Sequence, residues 1–439
     1  MVDVLIIGAG IAGLTCARVL QNRGVSVQLL DASDAVGGRV RTDFQDGYLL
    51  DRGFQVLLTG YPNIRQMLDL EALNLKSIVP GALVWYDSKL HRISDPIRDS
   101  SHRVETAISS VGTWADKLKL AQLALQFRFE PAEKLLAEFS HIEAKTHKLS
   151  TLEYLRGVGF SEQVIERFFR PFFGAVFLET RLETTASFFR FVFKMLSEGA
   201  MAVPEKGMGE IPKQMASHFS GTQIRLNCKA VEVRENQVRL NTGEVLKGKV
   251  VVIATDATVA GALLKKQGNQ VEWKSTAQIY FEAPESPIAE PILVLNGKGR
   301  GLVNHFIVMN QVSQAYSSTG RSLISVSTLR IPTIDDAELV SGAQEQLREV
   351  LGTQVNKWKA LRVYRIEHAL NGFTPAHLLQ RRAQEIKVLD WLYVCGDYLE
   401  TPSIEGAVIS GKKAAGSILR SFGHFVTPNL ANLSPSAGT

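Results

Sequence analysis

The stretch VLIIGAGIAGLTCARVLQNRGVSVQLLD, residues 4–31, decides how this chain begins to fold. Residues 4–7 are wholly apolar, as a parallel strand buried on both faces must be. Gly8, Gly10 and Gly13 follow at G-x-G-x-x-G spacing, then a helical stretch to about Arg23, a stop at Gly24 and a second strand over residues 25–30. This is one βαβ unit. Gly8 permits the tight turn, Gly10 lets the backbone approach a pyrophosphate, and Gly13 allows the helix to pack closely on the strand. The helix N-terminus, at Ile11 and Ala12, supplies amide donors and a partial positive charge to phosphates. Asp31 closes the second strand 18 residues beyond Gly13, where a carboxylate accepts hydrogen bonds from ribose hydroxyls. Dinucleotide binding is the expectation.

Outward from this unit, the 439 residues are 45% hydrophobic and 21% charged, with 35 Gly and 15 Pro. That composition can bury a large core and excludes a disordered, collagen-like or disulfide-stapled chain. At roughly 150 residues per domain, two or three units are expected. The net charge of +5 favours an anionic membrane surface slightly and falls far short of a nucleic-acid binder, so no nucleic-acid partner is expected. Cys16, Cys228 and Cys395 are odd in number and form no C-x-x-C, which fits a reducing compartment and three small core residues. Nine histidines include no H-x-x-x-H pair, and no metal site is expected. Asp3 stands where a cationic leader would begin, and residues 4–17 are too short a run to span a bilayer. The expectation is a cytoplasmic protein, soluble or held peripherally at a membrane surface.

Further along, residues 101–196 change to helical spacing, with Trp114, Leu118, Ala121 and Leu125 among the apolar positions. Strands return over 222–254, with a hairpin turn at Asn241-Thr242-Gly243, and over 277–281, 301–308, 322–329 and 361–366, interrupted by a helix near 337–351. A last strand, 391–395, meets Gly396-Asp397, a helix starts near Glu405, and the residues after about Phe422 read as a loose tail. Two kinds of segment therefore interleave. Soon after Asp31-Ala32 come Gly37-Gly38-Arg39-Val40-Arg41, a loop able to bring Arg39 and Arg41 towards a diphosphate.

Here the chain resembles the flavin amine oxidase superfamily, which includes amine oxidases, protoporphyrinogen oxidase and carotenoid desaturases. LLDASDAVGGRVRT, residues 29–42, looks like its FAD fingerprint, and YVCGDYLETPSIEGAVISGKKAA, residues 393–415, is similar to its closing motif. The resemblance implies non-covalent FAD. It carries Gly38, Arg39 and Arg41 over as cofactor contacts, with Gly396 and Asp397 near the ribityl–phosphate region and the backbone from Ile404 through Glu405 to Ala407 facing the flavin. Val231, in CKAVEVRE, matches the position that meets adenine through its backbone. Gly207 and Gly209, in the loop VPEKGMGEIPKQMA, match turn formers on the return from substrate to cofactor domain.

DRGFQVLLTGYPNI, residues 51–64, resembles the carotenoid-desaturase segment ending in Gly-x-Tyr-Pro-Asn, with Gln55 where those enzymes have histidine. Gly53, Phe54 and Gln55 enter as cofactor contacts on that resemblance. Ser403, two before Glu405, agrees with the desaturase form, whereas amine oxidases usually place an aromatic there. Aligning Tyr280-Phe281 to the amine oxidases' aromatic pair puts Thr276 at their flavin-facing lysine, with Lys274 two residues away. Phenylalanines crowd residues 168–173 and 187–193; they read first as core and second as a greasy tunnel or membrane face with Arg167, Arg170, Arg190 and Lys194 near lipid phosphates. His305, in an apolar strand, and His368, near a strand end, read first as satisfied structural histidines and second as residues facing a cavity.

The expected fold is α/β: a three-layer FAD-binding, Rossmann-like domain from residues 1–75, 205–260 and 385–420, an α+β substrate domain from 76–204 and 261–384, and a tail over 421–439. The expected activity is transfer of a hydride from a hydrophobic, isoprenoid or polyene substrate to flavin N5, with oxygen or a quinone as the electron acceptor. No side chain is assigned as catalytic acid or base. An FAD-dependent amine oxidase and a non-catalytic lipid carrier of the same fold are the alternatives.

Overall fold

A computed structural model describes residues 2–95, 98–138, 148–221, 223–265, 271–381 and 385–423. The strand Val2–Ile7 lies between parallel neighbours Val27–Leu30 and Val245–Ile253, with Ile7 opposite both Leu30 and Ile253. Ile224–Arg225 and Leu392–Val394 extend the parallel sheet on either side. Side chains alternate across it. Val4, Ile6, Val250 and Val252 point to one core, Leu5, Ile7, Val251 and Ile253 to another. Burial on both faces is why these strands read as unbroken apolar runs.

The first face is covered by the helices Ile11–Gln21 and Ile404–Ser421, which pack against each other. The second face meets the strands Ala230–Arg234 and Gln237–Leu240, hairpinned onto the first half of Val245–Ile253, and the helix Ala257–Leu263. Helices, parallel sheet and β-hairpin are the three layers expected of an α/β cofactor fold. The two ends of the chain thus meet on one face of one sheet.

A second, seven-stranded sheet runs in the order Lys359–Asn371, Trp273–Ala283, Ser322–Thr328, Val303–Val308, Leu293–Asn296, Gly81–Tyr86, Lys89–Ser94. Only the pair Leu293–Asn296 with Gly81–Tyr86 is parallel. Ile279, Phe281, Phe306 and Val326 on its outer face pack on Leu339, Ala343 and Leu347, spaced four apart along the helix Asp336–Leu351. Its inner face contributes Tyr280, Leu295, Ile307 and Leu323 to the core that also holds the first helix. The strands Trp273–Ala283 and Lys359–Asn371 are longer than sequence spacing predicts because register shifts at Lys274/Thr276 and Tyr280/Phe281 interrupt the alternation.

The phenylalanine-rich segments form core. Phe169, Phe173, Phe189 and Phe193 interlock, with the Phe173 and Phe189 rings 4.6 Å apart. The cations beside them are engaged inside the protein. Arg170 pairs with Glu166 and Arg190 with Glu130, buried Lys194 pairs with Glu198, and Arg167 lies 3.7 Å over the Tyr86 ring.

The apolar positions of the helix Trp114–Phe129 face elsewhere. Leu123 and Phe127 point inward, whereas Trp114, Leu118, Leu125 and Phe129 are exposed, Phe129 at 77%. The helical period is correct, but the wider apolar face is turned to solvent. No helix among the described residues is long and apolar enough to cross a membrane. The tail beyond Gly423 lies outside the described residues.

Candidate active site

The glycine turn is shaped by its neighbours. Gly8 has φ +109°, and a β-carbon there would lie 2.6 Å from the Ala254 carbonyl oxygen. One on Gly13 would lie 2.0 Å from the Gly8 oxygen, so the helix sits hard against the turn. Gly10 differs. A β-carbon there meets nothing within 4 Å, and as the residue capping the helix it makes no side-chain hydrogen bond to the first-turn amides around Ile11 and Ala12. An open concavity with uncapped amides is what a phosphate group fills.

Three segments close around this opening. The Gly37 amide donates to the Ala9 carbonyl at 2.9 Å, and Gly38 sits beside Gly10. Asp31 accepts from the Ala9 amide at 2.7 Å and from the Ser33 amide at 2.8 Å. Its carboxylate fixes the turn and keeps further lone pairs for a ribose. Ala32 is exposed beside it. Val231 is the extra residue where the register slips between Ala230 and Glu232, and such a bulge leaves its residue outside the ladder. The amides of Asn227 and Cys228 donate to the Ser33 and Asp31 carbonyls, tying the chain just before Val231 to the segment that carries Asp31.

The C-terminal motif answers the N-terminal loop across the molecule. Arg39 Nη2 donates to Asp397 Oδ1 at 2.6 Å, and Asn371 Nδ2 donates to Asp397 Oδ2 at 3.0 Å. The Gly396 amide donates to Ser410 Oγ at 2.9 Å. Asn371 Oδ1 is buried with no partner. Arg41, by contrast, pairs with Asp34 at 2.7 Å. Cys16 and Cys395 are fully buried and adjacent, and the hydrogen bond with Cys395, added to burial, pushes the Cys16 thiol up, whereas Cys228 is half-buried.

Glu405 turns away from the opening. Its carboxylate, fully buried, accepts from the Asn63 amide at 2.9 Å, Asn63 Nδ2 at 2.8 Å and the Ile64 amide at 3.1 Å. It therefore serves the N-terminus of the short helix Pro62–Met67, and only its backbone and those of Ile404 and Ala407 are left for a cofactor. Lys412 completes the joint through Asn63 Oδ1 at 2.9 Å and Gln66 Oε1 at 2.7 Å. Burial raises the Glu405 carboxyl and pulls the Lys412 ammonium down to about 8. The Gly-Tyr-Pro-Asn segment and the closing motif are thus two halves of one joint.

Gly53, Phe54 and Gln55 lead from the cofactor half to the inner face of the mixed sheet. The Phe54 amide donates to Gln278 Oε1 at 3.2 Å, and Gln55 Nε2 donates to the Arg39 carbonyl at 2.9 Å. Thr276 is buried, its hydroxyl on the Thr328 carbonyl at 2.7 Å, and Lys274 is paired with Glu272. His368 is exposed and stacks on Trp273 at 4.5 Å. His305 departs from the satisfied structural role: it is buried, with Nε2 lacking any partner among the described residues. Asn63, Asn371, Gln278 and Lys412 lie outside the sequence-predicted set, because each acts through a partner on another element, from 26 to more than 300 positions away.

Comparison with known proteins supplies the family and the fold it shares. Residues 11–419 match the family described as flavin containing amine oxidoreductase. The 15-cis-phytoene desaturase of Capsicum annuum is 22% identical over 479 residues, covering 96% of this chain and 78% of that protein. An L-amino-acid oxidase of Pseudechis australis is 25% identical over 305 residues, covering 65% of this chain and 53% of its own length. Among solved structures, a putrescine oxidase bound to putrescine superposes with a TM-score of 0.70 at 15% identity, covering 95% of this chain and 99% of that one. Cyclohexylamine oxidase from Brevibacterium oxydans gives 0.68 at 18% identity, covering 96% and 100%.

Proposed function

The chain belongs to the flavin-containing amine oxidoreductase family and is an FAD-dependent oxidoreductase; from that premise we propose that it dehydrogenates a hydrophobic, isoprenoid or polyene substrate collected at a membrane surface. Bound FAD would supply the hydride-accepting chemistry, with oxygen or a quinone as the terminal electron acceptor. In this reading residues 1–75, 205–260 and 385–420 hold the cofactor, and 76–204 and 261–384 form the substrate side. The turn at Gly8, Gly10 and Gly13 with the Ile11 and Ala12 amides receives the diphosphate, Gly38 lines it, and Asp31 and Ala32 flank the ribose. Val231 offers its backbone to adenine. Arg39, Asp397 and Gly396 hold the middle of the cofactor, Arg41 steadies the loop, and the Ile404–Ala407 backbone with Gly53, Phe54 and Gln55 borders the flavin. Simple dehydrogenation of an apolar chain needs orientation and exclusion of water from the protein rather than an acid–base pair.

One observation carries the hydrophobic-substrate reading. Val104, Ile108, Trp114, Leu118, Leu125 and Phe129 are all at least half exposed on two consecutive helices, Arg103–Ile108 and Trp114–Phe129. Arg103 and Arg128 are exposed on the same two helices, whereas Lys117, its ammonium 5.1 Å over the Trp114 ring, donates to the Ala107 and Ser109 carbonyls and Lys119 to the Gly159 carbonyl. An apolar stripe carrying cations suits insertion at the boundary of an anionic bilayer. The whole-length likeness to phytoene desaturases and the Thr276 hydroxyl at the aligned lysine position also support it.

The test has two arms. Anaerobic bleaching of the flavin band is expected with polyenes and not with primary or secondary amines; bleaching by amines alone overturns the proposal. Cosedimentation with phosphatidylglycerol vesicles is expected for the wild type and is expected to fall several-fold in Trp114→Ala/Phe129→Ala, whose side chains are exposed and whose fold is therefore preserved.

A further inference from the structure

One row of neighbours crosses the inner face of the mixed sheet: Tyr364, Gln278, Ser327, His305 and Leu295. The polar members up to Ser327 are satisfied. Tyr364 donates to Asp43 Oδ2 at 2.7 Å, Gln278 Nε2 donates to Ser325 Oγ at 2.8 Å, and Ser327 Oγ donates to Gln278 Oε1 at 2.6 Å. His305 ends the row at the point where it turns apolar. It is 3% exposed, its Nε2 has no partner among the described residues, and the Phe54 ring lies 5.2 Å from its own.

The neighbours fix which nitrogen carries the proton. Pro171's carbonyl can only accept, so the Asn304 atom 3.0 Å from it is the amide nitrogen. That same nitrogen lies 3.1 Å from His305 Nδ1, which must therefore accept. Nε2 then bears the hydrogen. Burial holds the imidazole at about 3, so it stays neutral at working pH and donates a hydrogen bond without transferring a proton. Native proteins rarely leave such a donor without a partner. Gln55 Oε1, one residue beyond Phe54, is a second buried polar atom lacking one, this time an acceptor.

We propose that His305 is a specificity-determining residue on the substrate side, its Nε2–H donating to a hydroxyl or carbonyl oxygen carried by an otherwise apolar, terpenoid substrate. The proposal rests on the hydrophobic-substrate reading above and narrows it to oxygen-bearing molecules.

The experiment titrates FAD-loaded enzyme with farnesol and with the hydrocarbon farnesene, following perturbation of the flavin absorbance band. Wild type is expected to bind farnesol at least about tenfold more tightly, as a site with a buried unpaired donor discriminates against the ligand that leaves it unpaired. His305→Phe is expected to lose that preference with farnesene affinity and flavin content unchanged, and His305→Gln, which keeps an N–H donor, to restore part of it. Equal binding of the two ligands by wild type overturns the assignment, as does a preference that survives in His305→Phe. A His305→Phe protein that loses FAD or has a shifted spectrum before any ligand is added also overturns it, because the partner of Nε2 is then the cofactor. If neither terpenoid perturbs the band while amines do, the hydrophobic-substrate reading fails first and takes this inference with it.

Discussion

Gly10 and Gly13 belong to one motif, yet their surroundings demand glycine for different reasons. At Gly13 the demand is internal: a methyl group would overlap the Gly8 carbonyl, and backbone cannot retreat as a side-chain tip can. Gly13→Ala is therefore expected to destabilise the protein even without cofactor, by about 3 kcal/mol or more, read as a drop in the denaturation midpoint of the apoprotein. At Gly10 the demand comes from outside. Its φ of −75° suits any L-residue and its β-carbon would enter open space. Gly10→Ala is expected to cost the apoprotein only about 1 kcal/mol, the ordinary penalty for losing glycine at a helix cap, while sharply weakening FAD retention during gel filtration. Equal losses of FAD and of apoprotein stability in the two variants would contradict this division. The spacing of the motif already assigns Gly10 to the ligand; that Ala254 closes the space around Gly8 emerges only once the fold is in place.

At the scale of elements, the joint between the helix Pro62–Met67 and the helix Ile404–Ser421 is the least expected feature. A six-residue helix has too few internal hydrogen bonds to persist alone, and Glu405 supplies partners for two of its first amides. Glu405→Ala would strand those amides and leave Lys412 buried without its counter-charge, for an expected loss of about 3–5 kcal/mol in chemical denaturation. Asn63→Ala, which leaves both backbone bonds to Glu405, is expected to cost about 1–2 kcal/mol. If the two variants lose the same stability, Glu405 is not the centre of the joint. The sequence carried both motifs, each recognisable from local spacing, but nothing local pairs Glu405 with Asn63 across more than three hundred positions. The helix Trp114–Phe129 shows the same limit in another form. Its period was legible, its inward face was not, because Leu123 and Phe127 become the buried side only when the phenylalanine core arrives. The parallel strands were the easiest elements to read, since burial on both faces leaves a continuous apolar run that needs no partner to interpret.

For the molecule as a whole, Asp51 is where distant segments are held together. Its carboxylate accepts from the hydroxyl of Thr42 on the adjoining strand, the Met208 amide at 3.0 Å and the Tyr316 hydroxyl at 2.6 Å, while its carbonyl accepts from the Tyr280 hydroxyl at 2.8 Å. The FAD-side hairpin, the returning loop and the mixed sheet all meet on this residue. Burial pushes its carboxyl up to about 6 despite those three donors. An unfolded aspartate titrates near 3.8, so between roughly pH 4 and 6 the folded protein binds the extra proton and stability falls as pH rises through that window. The loss is complete above about pH 6 and amounts to some 3 kcal/mol. Asp51→Asn removes the ionisation while its amide oxygen can still accept from Thr42 and Met208 and its nitrogen can donate to the Tyr316 oxygen. The stability of this variant relative to wild type is therefore expected to improve by about 3 kcal/mol between pH 4 and pH 7, measured as the difference in unfolding free energy at each pH so that other titrating groups cancel. A difference that stays constant across the range would mean that Asp51 remains ionised throughout, and that its three donors outweigh the cost of burying its charge.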